Sequence, residues 1–344
     1  MKIMLVTDAW RPQVNGVVRT YENVISHIER NGTHKFEIIE PSLFATAPLP
    51  AYPEVKMVLQ PWKVGGMLKD AAFDAIHIAT EGPLGVAARI WCNRKKIPYT
   101  TAYHTRFPEY FHEYHGVPTR IGYRYIDWFH KKSERIFVPT ETMKNELEKN
   151  NIKPEKIIWP RGVNKSIFNP QRRRAFAEYE RPIWLYAGRV SVEKSIEDFL
   201  KLPAAGTKIV VGDGPSKATL QSKYPNVVFT GYKYAEELAE YYASADVFVF
   251  PSKTDTFGVV ILEAMSCGTP VIAYDVTGPR DILTSGVSGY CSEKLSELCE
   301  PALLLDRQAV YDDSTQWTWE RVAEIFLDNI VLHPGTRDLR SMDE

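Results

Sequence analysis

No apolar run in this 344-residue chain approaches the ~18–20 residues that a membrane span requires, so no spanning helix is expected. Low-complexity tracts are missing as well. With 44% apolar and 25% charged residues, the composition is that of a soluble globular protein. Cysteine is scarce: Cys92, Cys267, Cys291 and Cys299 are scattered and form no C-x-x-C pair. They read as reduced thiols of a cytosolic protein, mostly packing residues. Met1-Lys2 leads straight into "IMLVTD", which reads as a first strand, so no signal-peptide segment is expected. Nor is there an excess of one charge: 42 Lys and Arg face 43 Asp and Glu, for a net of −1. With no nucleic-acid motif either, a nucleic-acid partner is not expected. A P-loop is absent, because "VGDGP" is too short for G-x-x-x-x-G-K-[ST]. The zinc-protease helix is absent too: in "FHEYH", His112 and His115 are three apart, not at H-E-x-x-H spacing. No metal is expected; these histidines read as acceptor-side or surface residues.

What is present is a long alternation of short β-rich runs with helical stretches. The length exceeds one ordinary core and favours two domains. "KIMLV", "FEIIE", "AIHIA", "IPYTTAY" and "RIFVPT" read as strands in the first half. "IWLYAG", "TKIVVG", "NVVFTG", "DVFVF" and "PVIAY" do so in the second. Most are continuous apolar runs, as in a parallel sheet covered on both faces. Helical stretches such as "VVRTYENVISHIER", "TETMKNELEKN" (with Thr140 as N-cap) and "YAEELAEYYASA" lie between them. Two series of βα units imply two Rossmann-like domains. The polar, basic stretch Arg161–Pro182 reads as the linker. The expected organisation is an acceptor-binding domain over 1–165, a donor domain over 166–312, and a C-terminal helix in 313–344 returning to the first domain. Charge divides the same way. Residues 1–165 hold 24 Lys and Arg against 17 Asp and Glu, a net of +7; the rest hold 18 against 26, a net of −8. Either the two domains face different partners, or the split is chance plus solvation.

The chemistry concentrates in "TDTFGVVILEAMSCGTPV", Thr254 to Val271. A strand ends in a Pro-Ser turn, and a helix begins near Phe257 or Gly258. Its first N–H groups lack intrahelical partners and, with the helix dipole, suit an anion that Gly258 lets approach closely. Asp255 precedes that end. Glu263 lies about five residues into the helix, roughly 7–8 Å along the axis at ~1.5 Å per residue. A carboxylate there would repel phosphate but can accept hydrogen bonds from vicinal hydroxyls. The pair therefore reads either as the grip on a nucleotide sugar, with ribose at Glu263 and hexose hydroxyls at Asp255, or as an N-terminal cap and a surface acid. "YAGRVSVEKSIEDFL" puts Arg189 and Lys194 in the loop after a strand, where two cations suit a diphosphate or are simply solvated. Gly212 and Gly214 of "VGDGP" form another strand-to-helix turn. In "TDAWRPQVNGVVRT", Asn15, Gly16 and Val17 start a helix after the first strand, a second anion site expected to face the first across a cleft.

Taken together, "NGVVRT", "YHTRFPEY", "GRVSVEKS", "GDGP", "FTGY", "PSKTDTFGVVILEAMSCGTPV" and "GPRDI" resemble, in order and over nearly the whole chain, the retaining glycosyltransferases of family 4. That resemblance implies a GT-B fold: α/β, with two Rossmann-like domains facing across a cleft. It further implies that Gly16 shapes the loop at the diphosphate and that His104 lies near the sugar's primary alcohol. Arg189 and Lys194 would neutralise the leaving diphosphate. Asp255 and the amides of Phe257, Gly258 and Val259 would hold sugar and phosphate, and Glu263 would bind ribose. Tyr232, of "FTGY", would join the donor site. The catalytic set so implied is His104, Arg189, Lys194 and Asp255. The family usually carries Glu-x7-Glu, whereas the first acid here is Asp255, one methylene shorter. Retention without a dedicated base, and without a metal or cofactor, is part of the same implication.

Donor chemistry in the second half leaves the basic first half for the acceptor. Residues 107–135 hold eight aromatics among several cations. Ile121, Tyr125, Trp128 and Phe129 fall on one helical face, with Lys131, Lys132 and Arg135 nearby. Such a face suits an anionic leaflet, or else a core-facing stripe with solvated ends. Arg106, Tyr125, Trp128, Lys131 and Lys132 are the candidate acceptor or membrane residues. "HTRFPEY" and "GPRDI" resemble the branch that glycosylates lipids. The expectation is a UDP-hexose, glucose or glucuronate, transferred to diacylglycerol at the cytoplasmic face of the membrane. The competing expectations are a GDP-mannose-dependent α-mannosyltransferase, a sugar-nucleotide epimerase, and a non-enzymatic sugar-nucleotide-binding module. The oligomeric state is open.

Overall fold

The computed structural model describes residues 1–333 apart from Val14, Asn31, Pro50, Ala51 and Ala175. Two compact units emerge: residues 1–160 together with the chain from Val322, and residues 161–321. In the first unit, β1 (Lys2–Val6), β2 (Lys35–Ile39), β5 (Ala75–Ile78), β6 (Thr100–Ala102), β7 (Arg135–Val138) and β8 (Glu155–Ile158) form one parallel sheet; β3 (Thr46–Leu49) and β4 (Tyr52–Val58) make a separate antiparallel pair. The sheet order is β2-β1-β5-β6-β7-β8. The second unit contains β9 (Ile183–Ala187), β10 (Thr207–Val211), β11 (Val228–Gly231), β12 (Val247–Phe250), β13 (Val271–Tyr274) and β14 (Gly289–Ser292), ordered β11-β10-β9-β12-β13-β14 and all parallel.

Burial explains why these segments are strands. Every residue of β5, β9 and β12 is buried, which a sheet covered by helices on both faces demands. Alternation then divides each strand between two cores. From β9, Ile183, Leu185 and Ala187 join Ile209, Tyr242, Phe248, Ile261 and Leu262 on one face. Trp184 and Tyr186 join Phe199, Val210, Val249 and Ile272 on the other. Edge strands read differently. β2 and β8 carry exposed charge at Lys35, Glu37 and Glu155, which discourages edge pairing with another chain.

The units divide at 160/161 and 321/322, against the 165/166 and 312/313 read from the sequence. Apolar residues inside the polar stretches account for the shift. Val163 and Phe168 are buried in the core of the second unit, and Ile167, Phe176 and Tyr179 pack against it, so Arg161–Pro182 is bound to that unit along much of its length. The polar residues before the last helix belong to it as well: Ser314 is fully buried and donates to the Tyr311 carbonyl at 2.6 Å. Within the final helix, Trp319–Asn329, the part from Val322 belongs to the first unit. There Phe326 packs on Phe36, His77, Phe137 and Trp159, and Trp159 Nε1 donates to the Val322 carbonyl at 2.9 Å. Thr140 caps Glu141–Lys149 by accepting the Met143 amide at 3.2 Å. Among the described residues, no helix is long and apolar enough to cross a membrane.

Candidate active site

Strand order fixes where a site can form. In the second unit the order reverses between β9 and β12, and the loops leaving those strands part there. After β9 the chain runs through Gly188 and exposed Arg189 to a turn at Val192–Lys194. After β12 it reaches Asp255 and the helix Val259–Ser266. The two loops meet at the switch point: Lys194 Nζ donates to Asp255 Oδ1 at 2.6 Å, with both side chains 27% exposed. Arg189 shares the Lys194 loop and joins no ion pair among the described residues. Below them, Tyr186 is buried and donates its hydroxyl to the Arg189 carbonyl at 2.6 Å. Burial, and then the Asp255 and Glu193 carboxylates, push its pKa up, so it remains a neutral donor that pins the loop.

Gly258 forms the N-cap of the 259–266 helix at φ 92°, a left-handed conformation that favours glycine. The helix thus opens on Val259; Ile261 N already donates to the Gly258 carbonyl at 2.9 Å, which leaves the Val259 and Val260 amides as the first-turn donors without an intrahelical acceptor. Phe257 is buried; its ring meets Trp317 edge-on at 5.9 Å, and its carbonyl lies where a Cβ on Gly278 would be only 2.6 Å away. Gly278, of the "GPRDI" motif, is therefore a packing requirement of the Asp255–Gly258 loop. Glu263 is 9% exposed, which removes the surface-acid alternative; its Oε2 accepts from the buried Tyr242 hydroxyl at 3.0 Å.

Gly212 and Gly214 have a structural reason of their own. A Cβ on Gly212 would sit 1.9 Å from the Gly188 carbonyl oxygen, and one on Gly214 would sit 2.3 Å from that of Val190. Across the same seam, Gly188 N donates to Val211 O at 3.0 Å and Val190 N to Asp213 O at 2.9 Å. These glycines let the loop after β10 press against the loop that carries Arg189 and Lys194. Tyr232 is 55% exposed, stacks on Tyr234 (centroids 6.1 Å apart, planes 20° apart) and donates to the Asp213 carbonyl at 3.3 Å.

In the first unit, Asn15 precedes the helix Gly16–Arg30 and accepts the amides of Val17 and Val18, each at 3.0 Å. This corrects the anion-site expectation there in one respect: the Val17 amide is already engaged by a side chain. Gly16 differs from Gly212, Gly214 and Gly278, since a Cβ added to it would meet nothing within 4 Å. Asp8, after β1, accepts from Leu84 N at 2.8 Å, Gly85 N at 3.2 Å and Thr80 Oγ1 at 2.9 Å; burial outweighs these bonds and raises its pKa. His104, just past β6, is 6% exposed, and its Nε2 lies 3.1 Å from the hydroxyl of buried Tyr21. That hydroxyl is also 2.8 Å from His77 Nε2, and His77 Nδ1 is 2.8 Å from Thr100 Oγ1.

The aromatic–cationic face is split. Ile121, Tyr125 and Trp128 are 53%, 42% and 36% exposed, but Phe129 is fully buried. Its apolar neighbours in the core decide this, so Phe129 leaves the proposed surface face. Arg89 stacks on Trp128, its guanidinium carbon 4.1 Å from the ring centroid, and Tyr125 donates to the Glu81 carbonyl. Arg106 is held by Glu146, Nε to Oε2 at 2.8 Å. Lys131 and Lys132 are exposed and join no ion pair among the described residues. His112 is exposed, with Nδ1 3.1 Å from the Val117 carbonyl oxygen, while the His115 side chain lies outside the described residues. Among the described residues, no cluster of His, Cys, Asp or Glu could hold a metal.

Sequence reasoning missed Tyr21, His77 and Tyr186. Each lies in an apolar run or helical stretch and becomes notable only through the partner that the fold brings to it. Gly278 was visible only as part of a motif.

Two family models match in tandem: Glycosyltransferase Family 4 over residues 14–166 and Glycosyl transferases group 1 over residues 181–303. A GDP-mannose-dependent alpha-mannosyltransferase of Mycobacterium tuberculosis is 31% identical over 84% of this chain and 83% of its own length. The alpha-monoglucosyldiacylglycerol synthase of Streptococcus pneumoniae is 26% identical over 100% of this chain and 89% of its own. Among solved structures, the sucrose-phosphate synthase of Thermosynechococcus elongatus superposes with a TM-score of 0.76 over 99% of both chains at 18% identity, which bears on the fold alone. Both halves of the sequence and both sheets thus lead to one conclusion: the chain is a transferase enzyme of the GT-B fold, belonging to the group 1, family 4 glycosyltransferases.

Proposed function

We propose that the protein transfers a hexosyl group from a nucleoside-diphosphate sugar to a membrane lipid, with retention at the anomeric carbon. The observation that carries this reading is the meeting of Lys194 and Asp255 at the β9/β12 switch point, beside the helix that opens at Gly258. The anomeric C–O bond breaks and its electron pair leaves with the nucleoside diphosphate. Lys194, Arg189 and the first-turn amides stabilise that growing negative charge. The acceptor oxygen bonds to the anomeric carbon on the face that the diphosphate leaves, and its proton passes to a leaving phosphate oxygen. No separate base is required. Asp255 takes hexose hydroxyls and Glu263 the ribose.

Two donors remain in competition, each with its own support. The Mycobacterium tuberculosis relative, at 31% identity, favours GDP-mannose. The Streptococcus pneumoniae relative spans the whole chain and favours a glucosyl donor with diacylglycerol as acceptor. The lipid acceptor is also supported by the exposed side chains of Ile121, Tyr125, Trp128, Lys131 and Lys132, which suit an anionic leaflet. On this reading the enzyme would work at the cytoplasmic face of a membrane. The test is a panel of UDP- and GDP-hexoses incubated with diacylglycerol and phosphoinositide vesicles, with the product identified by mass spectrometry. One donor should give a hexosyl lipid. Sugar isomerisation without acceptor, or binding without turnover, would overturn the reading.

A further inference from the structure

Besides Lys194 and Asp255, further side chains tie together the two loops that meet at the β9/β12 switch point. Lys253 stands two residues before Asp255. Its Nζ lies 3.4 Å from Asp198 Oδ2 and 4.2 Å from the centroid of the Tyr274 ring. Tyr274 closes the triangle by donating its hydroxyl to the same Asp198 Oδ2 at 2.7 Å. Burial, and then the Asp198 carboxylate, push the Tyr274 pKa up, so the hydroxyl keeps the hydrogen that it donates. Asp198 belongs to the helix Ile196–Leu200, which begins two residues after Lys194, and Tyr274 ends β13. Next to Lys253, Thr254 Oγ1 donates to the Glu193 carbonyl at 3.3 Å, and Ser191 Oγ donates to Glu193 Oε1 at 2.6 Å.

Exposure limits each contact taken singly. The Lys253 and Asp198 side chains are 53% and 37% exposed, so their ion pair alone is worth little. The ammonium, however, is held at two points, by a carboxylate and by a ring face, and the carboxylate is held by two donors. More decisive is what this brace leaves unused. In the proposed reaction Lys194 turns to the leaving diphosphate and Asp255 to hexose hydroxyls, so their 2.6 Å link is given up. The Lys253–Asp198–Tyr274 triangle and the Thr254–Glu193 bond use none of those groups. They can persist with the donor bound and go on joining the two loops.

We propose that Lys253, Asp198 and Tyr274 are positioning residues that keep the Asp255 loop at a fixed spacing from Lys194 once the donor has displaced the Lys194–Asp255 contact. None of the three touches substrate. They act through Lys194 and Asp255, and this inference rests on the reading of those two as the residues at the diphosphate and the hexose. Small errors of placement in such a pair are felt as rate, because the transition-state charge is met by groups already in position.

The test is kinetic, on the full-length enzyme with the donor and acceptor identified in the panel. Lys253→Gln should lower kcat about three- to tenfold, the size of a partly exposed ion pair and a cation–π contact together. KM for the donor should change little, and the urea midpoint should stay close to wild type. Lys253→Arg keeps the charge and can still stack on the ring, so it should retain most of kcat. Asp198→Asn should match Lys253→Gln, and the two combined should cost no more than either alone, since both open the same triangle. In a Lys194→Ala background, Lys253→Gln should cost less than about twofold. Full additivity there, or a donor KM that rises as kcat falls, would mean that Lys253 meets the diphosphate itself and would overturn the positioning role. Undiminished kcat in Lys253→Gln, or a urea midpoint that drops along with kcat, would overturn it too. Failure of the transferase reading itself would show elsewhere, as no nucleoside diphosphate released by the wild-type enzyme with any donor and acceptor.

Discussion

Replacing Lys194 with alanine separates what the lysine does for the fold from what it does for the reaction. Its ammonium pairs with Asp255 at 2.6 Å, but each side chain is 27% exposed, so solvent screens much of the attraction. Pairs of this kind are worth about 0.2–1 kcal/mol to stability. The Asp255 left behind can still be hydrated, so no buried-charge penalty is added. In the proposed mechanism the same ammonium faces a forming diphosphate in the transition state, with water largely displaced. Losing one such donor costs about 2.7–4 kcal/mol, or roughly 100- to 1,000-fold in kcat. Urea denaturation followed by fluorescence should show a midpoint shift equivalent to no more than about 1 kcal/mol. Release of nucleoside diphosphate, followed by a coupled assay with the donor identified in the panel, should fall at least about 100-fold. The reasoning fails if the variant keeps more than a tenth of wild-type turnover. It fails equally if the protein loses several kcal/mol of stability, for then the ion pair would be a structural clasp and the activity loss uninformative.

Other consequences concern the scaffold and the surface. Gly212→Ala should be strongly destabilising, by about 2–4 kcal/mol, because the new Cβ would lie 1.9 Å from the Gly188 carbonyl oxygen at φ 140°; a melting temperature within a degree or two of wild type would contradict that packing. His77 supplies a pH signature. Its folded pKa, about 3, is below the unfolded value, so the folded state binds fewer protons, and its contribution is present above about pH 6.5 and lost on acidification towards 3. The loss should approach ~1.4 kcal/mol per pH unit in that window. His77→Gln should flatten the curve of denaturation midpoint against pH, and parallel curves would refute the assignment. Replacing Lys131 and Lys132 with Glu should weaken co-sedimentation with phosphatidylglycerol vesicles several-fold at low salt and much less at high salt; unchanged sedimentation would argue against that surface.

The parallel sheets were legible because their central strands are apolar runs punctuated by Gly, Pro and Asp. β8 and β14 were not. "EKII" and "GYCS" are short edge strands with partly exposed residues, and nothing distinguishes such stretches from loops until a neighbouring strand lies beside them. Phe129 looked like a surface aromatic because it is one step from Trp128 on a helical wheel; which of the two faces the core depends on the residues packed beneath, not on the helix itself. The candidate site was legible in its residue types: Asp255, Lys194 and Gly258, which the fold brings to one switch point, were all singled out. Their contacts were not. No periodicity places Lys194 against an acid 61 positions away, and nothing in "VGDGP" reveals that its glycines meet the backbone of the preceding loop. Tyr21 and His77 were invisible for the same reason, since a polar group inside an apolar pattern declares its purpose only through its partner.

Because Phe326 and its helix fill the space beside Phe36, His77, Phe137 and Trp159, the portion of protein synthesised first cannot be completed first. The ribosome must deliver residues 161–321 and then the segment from Val322 before the opening sheet gains its last covering element. Until then His77 and Trp159 have the ring of Tyr21 beside them but lack that of Phe326. Nascent chains stalled before Val322 should therefore be the form that holding chaperones bind most tightly.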